Sequence, residues 1–188
     1  MLNKSKILKI KNKVLKGKNC TLKKITSLNC NKNYISWMND KRVNRYLESR
    51  FKNFNQKKLK KFVADSNKDY STILYGIFHK NIHIGNIKIS INWHHGYAIL
   101  GYLVGNLNYQ GKNIGSESIK ICTNICFKFL KLRFCLASIY SNNFSSYKVL
   151  KKNKFRLIAK IRKRYRIKAD TYVDELTYRL NSPNYKIR

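Results

Sequence analysis

Two spacings of apolar residues organise the chain: alternation predicts strands, and apolar positions three or four apart predict helices. The predicted strands cover residues 20–25, 72–78, 83–93, 97–104, 134–140, 155–162 and 172–180. The predicted helices cover residues 31–47, with a break near 39–40, and residues 55–64, 116–130 and 145–152. Strands come first, then strand, helix, strand, helix and strand, and this order predicts a mixed α/β layer fold.

Length and composition indicate one folded domain. The chain has 188 residues, 43% of them hydrophobic, with one proline and no Gly/Ser-rich run that would mark a linker. We divide it into a basic N-terminal arm, residues 1–18, and a single domain, residues 19–188. The arm lacks the continuous apolar core of a signal peptide, so we expect a frayed terminus there. Lysines and Arg133 interrupt the longest apolar run, so no membrane span is predicted.

The charge is extreme, with 41 Lys and Arg against 8 Asp and Glu and a net charge of +33. One interpretation is a polyanionic partner such as nucleic acid, anionic lipid or a phosphorylated ligand. The other is codon drift, because the chain is also rich in Asn, Ile and Tyr. The lysines are scattered rather than confined to one patch, which favours drift and leaves nucleic acid a disfavoured partner.

The cysteines form no metal-ligand pattern and are expected to be buried thiols. They are Cys20, Cys30, Cys122, Cys126 and Cys135. Their odd number argues against a disulfide framework and indicates a reducing compartment, so we expect a cytoplasmic location.

The turn at residues 110–115, Gln-Gly-Lys-Asn-Ile-Gly, carries the strongest chemical signal. It follows a predicted strand and precedes a predicted helix, whose first N–H groups and dipole attract an anion. Gly111 permits close backbone approach, and Lys112 adds a charge. A pyrophosphate suits this arrangement, although the spacing is neither a Walker loop nor a dinucleotide fingerprint.

Residues 110–115 resemble the acetyl-CoA pyrophosphate loop of the GNAT N-acetyltransferases, Gln/Arg-x-x-Gly-x-Gly/Ala, with Asn113 in place of the middle glycine. Residues 143–155 resemble the family segment Asn-x-x-Ser-x-x-Val-Leu-x-x-x-Gly-Phe, with Lys154 where glycine is usual. Residues 21–23, 37–43 and 84–87 follow in the family order. The resemblance covers roughly residues 18–181 and is to the branch of ribosomal-protein and nucleotide-amino-sugar acetyltransferases.

The resemblance implies a GNAT-like α/β fold whose mostly antiparallel sheet is splayed at its centre, between residues 101–104 and 135–140, and flanked by helices on both faces. It implies direct transfer of an acetyl group from acetyl-CoA to a primary amine, with no acyl-enzyme and no metal. The residues expected to hold acetyl-CoA are Leu103, Val104, Gln110, Gly111, Lys112, Asn113, Ile114, Gly115, Ser116 and Asn143.

The expected catalytic residues are Ser146 first, Tyr147 second, and Asn143. Asn143 matches a family position near the pantetheine arm, and helix capping explains it equally well. Ser146 matches a hydroxyl near the CoA sulfur. Many family members carry a tyrosine acid four residues later, where this chain has Leu150. No general base stands out, and deprotonation through water remains open.

The residues expected to contact the acceptor are Trp37, Arg45, Glu48, Arg50 and His94. Packing explains Trp37, and solvation explains His94, at least as well. The arginines suit a phosphorylated acceptor, so a nucleotide-linked amino sugar is the leading expectation. The alternatives are the N-terminus of a protein, such as a ribosomal protein, and a non-catalytic module that binds nucleic acid. Monomer and homodimer both remain open.

Overall fold

The computed structural model describes residues 4–185 as one eight-stranded sheet with helices on both faces; residues 1–3 and 186–188 are not described. The strands are β1 (Leu15–Lys16), β2 (Thr21–Lys24), β3 (Thr72–His79), β4 (Ile82–Asn92), β5 (Tyr97–Val104), β6 (Phe134–Tyr140), β7 (Arg156–Lys168) and β8 (Thr171–Asn181). Their order across the sheet is β1-β2-β3-β4-β5-β6-β8-β7. The helices are α1 (Lys4–Asn12), α2 (Lys32–Asn39), α3 (Lys41–Asn44), α4 (Gln56–Lys68), α5 (Ile114–Asn124) and α6 (Phe144–Lys152).

The sheet splays between β5 and β6, the pair of neighbouring strands that runs parallel. Only Tyr97, Ala98 and Ile99 of β5 pair with β6, although β5 stays paired with β4 as far as Val104. The backbone groups of residues 101–103 on the β6 side are therefore left for another partner. The predicted splayed, mostly antiparallel sheet is confirmed, and the opening begins just beyond Leu136 of β6.

Strand alternation sends side chains into two separate cores. Ile73, Tyr75 and Ile77 of β3 pack in one cluster with α1 and α5, and Leu74 packs in the other with α2 and α4. The predicted helices on both faces are thus confirmed. The five cysteines are buried and free, as expected.

The N-terminal arm is ordered over the described residues, so the expectation of a frayed terminus is wrong there. Ile7 and Ile10 of α1 are 1% and 6% exposed, and β1 extends the sheet beside β2. The carboxylate of Glu117 accepts the backbone N–H groups of Lys18 and Asn19 and ties the arm to α5. The buried isoleucines of α1 are interspersed with lysines, so the sequence pattern did not reveal a helix that packs on the sheet.

Two elements extend beyond their predicted ends. The α5 helix begins at Ile114 and continues as a π-helical turn, Ile125–Phe129. The final hairpin reaches Lys168 and returns at Thr171, six residues beyond the predicted end of its first strand. Over residues 4–185 no helix is both long and apolar enough to cross a membrane. The same residues contain no cluster of three or more His, Cys, Asp or Glu that would suit a metal ion.

Candidate active site

A cleft of about 1430 Å³ opens where β5 and β6 part. One end is bounded by the loop before α5, and the other by the segment that follows α3. Of the residues predicted to bind or act, the cleft lining includes Arg45, Glu48, Leu103, Val104, Gln110, Gly111, Asn113, Ile114, Gly115, Ser116, Asn143 and Ser146. Trp37, Arg50, His94, Lys112 and Tyr147 are not part of the lining.

The loop before α5 has the backbone of an anion site. Gly111 has φ +76°, and Asn113, the N-cap of α5, has φ +62°, a conformation that Asn tolerates well. The first N–H groups of a helix have no intrahelical acceptor and point out of the helix end. No side chain caps α5, so these groups are left for a ligand. The Nζ of Lys152 donates to Asn113 Oδ1 at 2.9 Å and brings a cation to the same place. The loop therefore fits a pyrophosphate.

Gln110 and Lys112 lie beside this site in different ways. The Nε2 of Gln110 donates to the carbonyl oxygen of Val104 at 2.9 Å, so its amide fixes the loop to the end of β5. Lys112 is exposed, with its Nζ 5.6 Å from the centre of the Tyr109 ring.

Gly115 lets an aromatic ring approach the first turn of α5. A Cβ added there would lie 2.6 Å from Cε2 of Tyr102, closer than two carbon atoms can pack. Tyr102 lines the cleft from β5, and its hydroxyl lies 3.3 Å from Ser146 Oγ. We did not identify Tyr102 from the sequence, because a tyrosine on an alternating strand looks like ordinary core and its partner is 44 residues away.

The start of α6 brings Asn143 and Ser146 to the cleft. Asn143 is 9% exposed, and its Oδ1 accepts the backbone N–H of Ser146 at 3.1 Å, so it caps the helix. Tyr147 points elsewhere, with its hydroxyl 3.3 Å from Lys151 Nζ, because neighbouring helix residues differ by about 100°. Leu150 is 1% exposed in the core.

The predicted acceptor residues are divided between the cleft and other places. Trp37 is buried against Gly105, where a Cβ would lie 2.2 Å from the indole ring, so its position is explained by packing. His94 is exposed in the turn between β4 and β5, at the end of β5 that remains paired with β6. Arg45 is exposed, and its guanidinium lies 4.8 Å from the ring centre of Tyr46.

Glu48 and Arg50 meet at one buried hydroxyl. The Tyr140 O–H donates to Glu48 Oε1, and the Arg50 guanidinium contacts the same Tyr140 oxygen. Arg50 also donates to the backbone oxygens of Arg45, at 3.1 Å, and Arg166, at 2.6 Å. Burial and the bond to Glu48 raise the pKa of Tyr140 to about 12, so this tyrosine stays protonated. We did not identify Tyr140 from the sequence either.

The β7–β8 hairpin packs against the cluster of Glu48, Tyr140 and Arg50. The Tyr165 ring stacks on the Tyr140 ring with centroids 3.9 Å apart. Burial opposes ionisation of Glu175, but hydrogen bonds from Ser138, Tyr165 and Thr177 outweigh it and lower the pKa of this carboxyl. Of these two carboxylates, Glu48 belongs to the cleft lining and Glu175 lies on the hairpin outside it.

One buried donor in the cleft has no partner. The Oδ1 of Asn86 lies 3.0 Å from His83 Nε2, but its Nδ2 has no hydrogen-bond acceptor among residues 4–185. Asn86 lines the cleft from β4, opposite Leu103 of β5. An unsatisfied buried amide is costly, and this nitrogen is closed off from the solvent of the cleft.

Comparison with known proteins agrees with this geometry. Residues 20–156 match the acetyltransferase (GNAT) domain family. The fold is similar to that of RimL, a ribosomal L7/L12 alpha-N-protein acetyltransferase solved with coenzyme A, at 17% identity and a TM-score of 0.79 over 90% of this chain and 98% of that chain. It is also similar to a Salmonella typhimurium acetyl transferase that modifies the N-terminal serine of the 50S ribosomal protein L7/L12, at 18% identity and a TM-score of 0.76 over 90% and 99% of the two chains.

A third similar structure is the microcin C7 self-immunity acetyltransferase MccE in complex with acetyl-CoA and AMP. It is 17% identical, with a TM-score of 0.76 over 88% of this chain and 93% of that chain. No match was found among curated protein sequences. The solved structures share the fold, and the family match extends over most of the chain. This protein therefore belongs to the GNAT acetyltransferase family, and it is an acetyl-CoA-dependent N-acetyltransferase.

Proposed function

We propose that the protein acetylates the N-terminal amine of a polypeptide by direct transfer. The observation that carries this proposal is the composition of the open end of the cleft. Glu48 lines the cleft, and its Oε1 accepts the O–H of the buried Tyr140. A carboxylate held in this way suits a terminal amine.

The state of Arg50 weakens the case for a nucleotide-linked amino sugar. Arginine would recognise the diphosphate of such an acceptor by paired hydrogen bonds. Arg50 already donates to two backbone oxygens and contacts the Tyr140 hydroxyl. The similarity to two proteins described as acting on ribosomal protein L7/L12 agrees with a polypeptide acceptor.

In the proposed reaction, acetyl-CoA supplies an activated acetyl thioester. The N–H groups at the start of α5 hold the pyrophosphate, and the free backbone groups of residues 101–103 hold the pantetheine arm like an added strand. Glu48 orients the acceptor amine and accepts its proton, directly or through water. Ser146 donates a proton to the departing sulfur. The contact of Asn143 with the pantetheine arm and the backbone contacts at Leu103 and Val104 remain predictions.

A panel of acceptors tests the proposal. Peptides with free N-termini, the same peptides with blocked N-termini, and UDP- and dTDP-amino sugars are compared by release of the CoA thiol. We expect turnover of free N-termini only. Turnover of amino sugars alone would contradict the peptide assignment and leave acetyl transfer intact.

Substitution of Glu48 tests the proposed binding of the amine. Glu48→Gln should lower kcat/KM for the acceptor about 100-fold, within the usual range for loss of a general base, and leave acetyl-CoA binding unchanged. Asp170→Asn, in the turn of the β7–β8 hairpin, is the matched removal of a carboxylate. Equal rates in Glu48→Gln and the wild type would exclude the role assigned to Glu48.

The nucleotide-linked amino sugar remains the second candidate, because the rim near Arg45 is basic. The cationic residues of the cleft lining are Arg42, Arg45, Lys52, Lys58, Lys61, Lys88, Lys148 and Lys152. These cations suit an acceptor that carries phosphate, and equally an acidic peptide. Arg45→Ala should raise the KM for either kind of acceptor and change kcat little.

A further inference from the structure

Tyr102 contacts Ser146, the serine that we propose as proton donor. Its hydroxyl lies 3.3 Å from Ser146 Oγ, and either oxygen is able to donate. Neither hydroxyl has another hydrogen-bond partner within residues 4–185. The two side chains therefore form an isolated pair, and both of them line the cleft.

Three elements fix the position of the Tyr102 ring. Tyr102 lies on β5 three residues beyond Ile99, the last residue that pairs with β6, so it stands within the opening of the sheet. Gly115 of α5 lies against one edge of the ring and leaves no room for a Cβ. Ser146 belongs to the first turn of α6, which Asn143 caps. The hydroxyl is therefore held by packing and does not depend on a flexible loop.

The environment keeps this hydroxyl protonated. Burial raises the pKa of Tyr102, and the hydrogen bond with Ser146 lowers it by less. The position where many family members carry a tyrosine acid holds the buried Leu150, and Tyr147 turns away toward Lys151. Tyr102 is thus the phenol that contacts Ser146.

We propose that Tyr102 is a positioning residue that aims the Ser146 hydroxyl at the leaving sulfur and restores its proton. This proposal rests on the role of Ser146 given above. The amine nitrogen forms a bond to the acetyl carbon, and the carbon–sulfur bond breaks with its electron pair on sulfur. Sulfur takes the Ser146 proton, and Ser146 takes the Tyr102 proton. Water returns to Tyr102 the proton that the amine has lost, so one proton moves from nitrogen to sulfur overall.

A double-substitution experiment on the full chain tests the pairing. Tyr102→Phe removes one oxygen and keeps the ring, and it should lower kcat about 10-fold or more; this is less than the roughly 100-fold or greater loss typical of a general acid itself, because Ser146 remains. Ser146→Ala should lower kcat at least as much. Because Tyr102 acts only through Ser146, its loss has no further effect once Ser146 is removed. The double variant should therefore be no slower than Ser146→Ala alone.

Two controls separate this role from a structural one. Tyr97→Phe, five residues earlier on β5 and outside the cleft lining, should keep wild-type kcat. Ser146→Thr, which retains a hydroxyl, should keep most activity and remain sensitive to Tyr102→Phe. Acetyl-CoA affinity, measured by melting shift, should be the same within about two-fold in the wild type and Tyr102→Phe, since a factor of two is only about 0.4 kcal/mol.

Three results would overturn the proposal: unchanged kcat in Tyr102→Phe, losses that multiply in the double variant, or a loss of acetyl-CoA affinity that accounts for the slower rate. The assay uses whichever amine the wild type acetylates fastest. If the peptide assignment is wrong, the wild type alone shows this by its choice of acceptor. The Tyr102–Ser146 pair is then tested with the acceptor that the wild type does use, so the two failures are distinguishable.

Discussion

At the scale of single residues, the site depends most directly on the absence of a side chain at Gly115. This glycine matters for a steric reason, because its neighbour within 2.6 Å of an added Cβ is the Tyr102 ring. Gly111 matters for a conformational reason, because its φ is +76° and an added Cβ would meet no atom within 4 Å. The two glycines of one loop thus make different demands.

Replacement of each glycine by alanine separates these demands. Gly115→Ala should abolish the melting shift caused by acetyl-CoA and lower kcat, because Tyr102 and the first turn of α5 must move apart. Gly111→Ala should cost about 1–2 kcal/mol of backbone strain but keep most of the shift. The measurement is the melting temperature with and without saturating acetyl-CoA, which adds about 2.7 kcal/mol at 100 times Kd. Equal loss in both variants would show that loop conformation, rather than Tyr102, decides binding.

From the sequence we predicted Gly111 and Asn113 by their local pattern and Ser146 by its match to the family segment, and all three line the cleft. Gly111, Asn113 and the start of α5 lie within six residues of one another. Asn143 caps α6 by accepting the backbone N–H of Ser146, three residues later. Tyr102 and Tyr140 escaped notice because their partners are remote in sequence and tyrosine on a strand is ordinary. Arg50 was placed on the acceptor rim, whereas its guanidinium donates to backbone oxygens that only the folded chain brings near.

At the scale of elements, α1 is held to the end of α4 by a buried cation. Lys11 is 2% exposed, and its Nζ donates to the carbonyl oxygens of Ser66, Asn67 and Asp69 at 3.1, 2.9 and 2.6 Å. These oxygens lie at the C-terminal end of α4, where carbonyl groups lack intrahelical partners and a cation is favoured. One lysine thus completes the end of one helix and fastens another.

Lys11→Met should lower the free energy of unfolding by about 2 kcal/mol or more, because it removes the donor and leaves buried carbonyl oxygens unpaired. Lys9→Met, an exposed lysine of the same helix, should change it by less than about 0.5 kcal/mol. Denaturant unfolding followed by circular dichroism gives both values. Similar values for the two variants would show that the Lys11 bonds contribute no net stability.

The pH dependence has a definite sign. Burial lowers the pKa of Lys11 below its ordinary value of 10.5 more than Asp69 raises it. Between the lowered pKa and 10.5 the unfolded chain binds more protons than the native one, so this group contributes more stability as pH rises. The difference in stability between wild type and Lys11→Met should therefore grow toward pH 10.5. A difference that shrinks as pH rises would mean that the native pKa is raised.

Most elements follow from local pattern, and the exceptions have physical causes. The strands at residues 97–104 and 134–140 were predicted with the bounds that the structure has, because each is a short, nearly continuous apolar run. The α1 helix was missed because its buried lysine reads as a surface residue. The β7–β8 hairpin was predicted too short, because β7 is exposed and strongly charged beyond Arg162 and gains its strand geometry from pairing with β8.

At the scale of the whole molecule, the excess of positive charge, +33 in all, extends into the cleft. The lining holds eight Lys or Arg residues but only two carboxylates, Glu48 and Asp65. Such a field raises the local concentration of an anionic substrate and speeds its capture, although it acts equally on the ground state and the transition state. Charge around the cleft should therefore affect binding of the donor and leave the chemical step unchanged.

Salt provides the test of that expectation. The screening length shortens from about 14 Å at 0.05 M to about 8 Å at 0.15 M, so the lysines of the rim should attract acetyl-CoA less. We expect KM for acetyl-CoA to rise a few-fold over this range and kcat to change by less than about two-fold. Acetyl-pantetheine, which lacks the nucleotide phosphates, is the matched donor, and its KM should be nearly independent of salt. A steep fall of kcat with both donors, accompanied by tight binding of RNA at low salt, would instead mean that the positive surface serves a polyanionic partner.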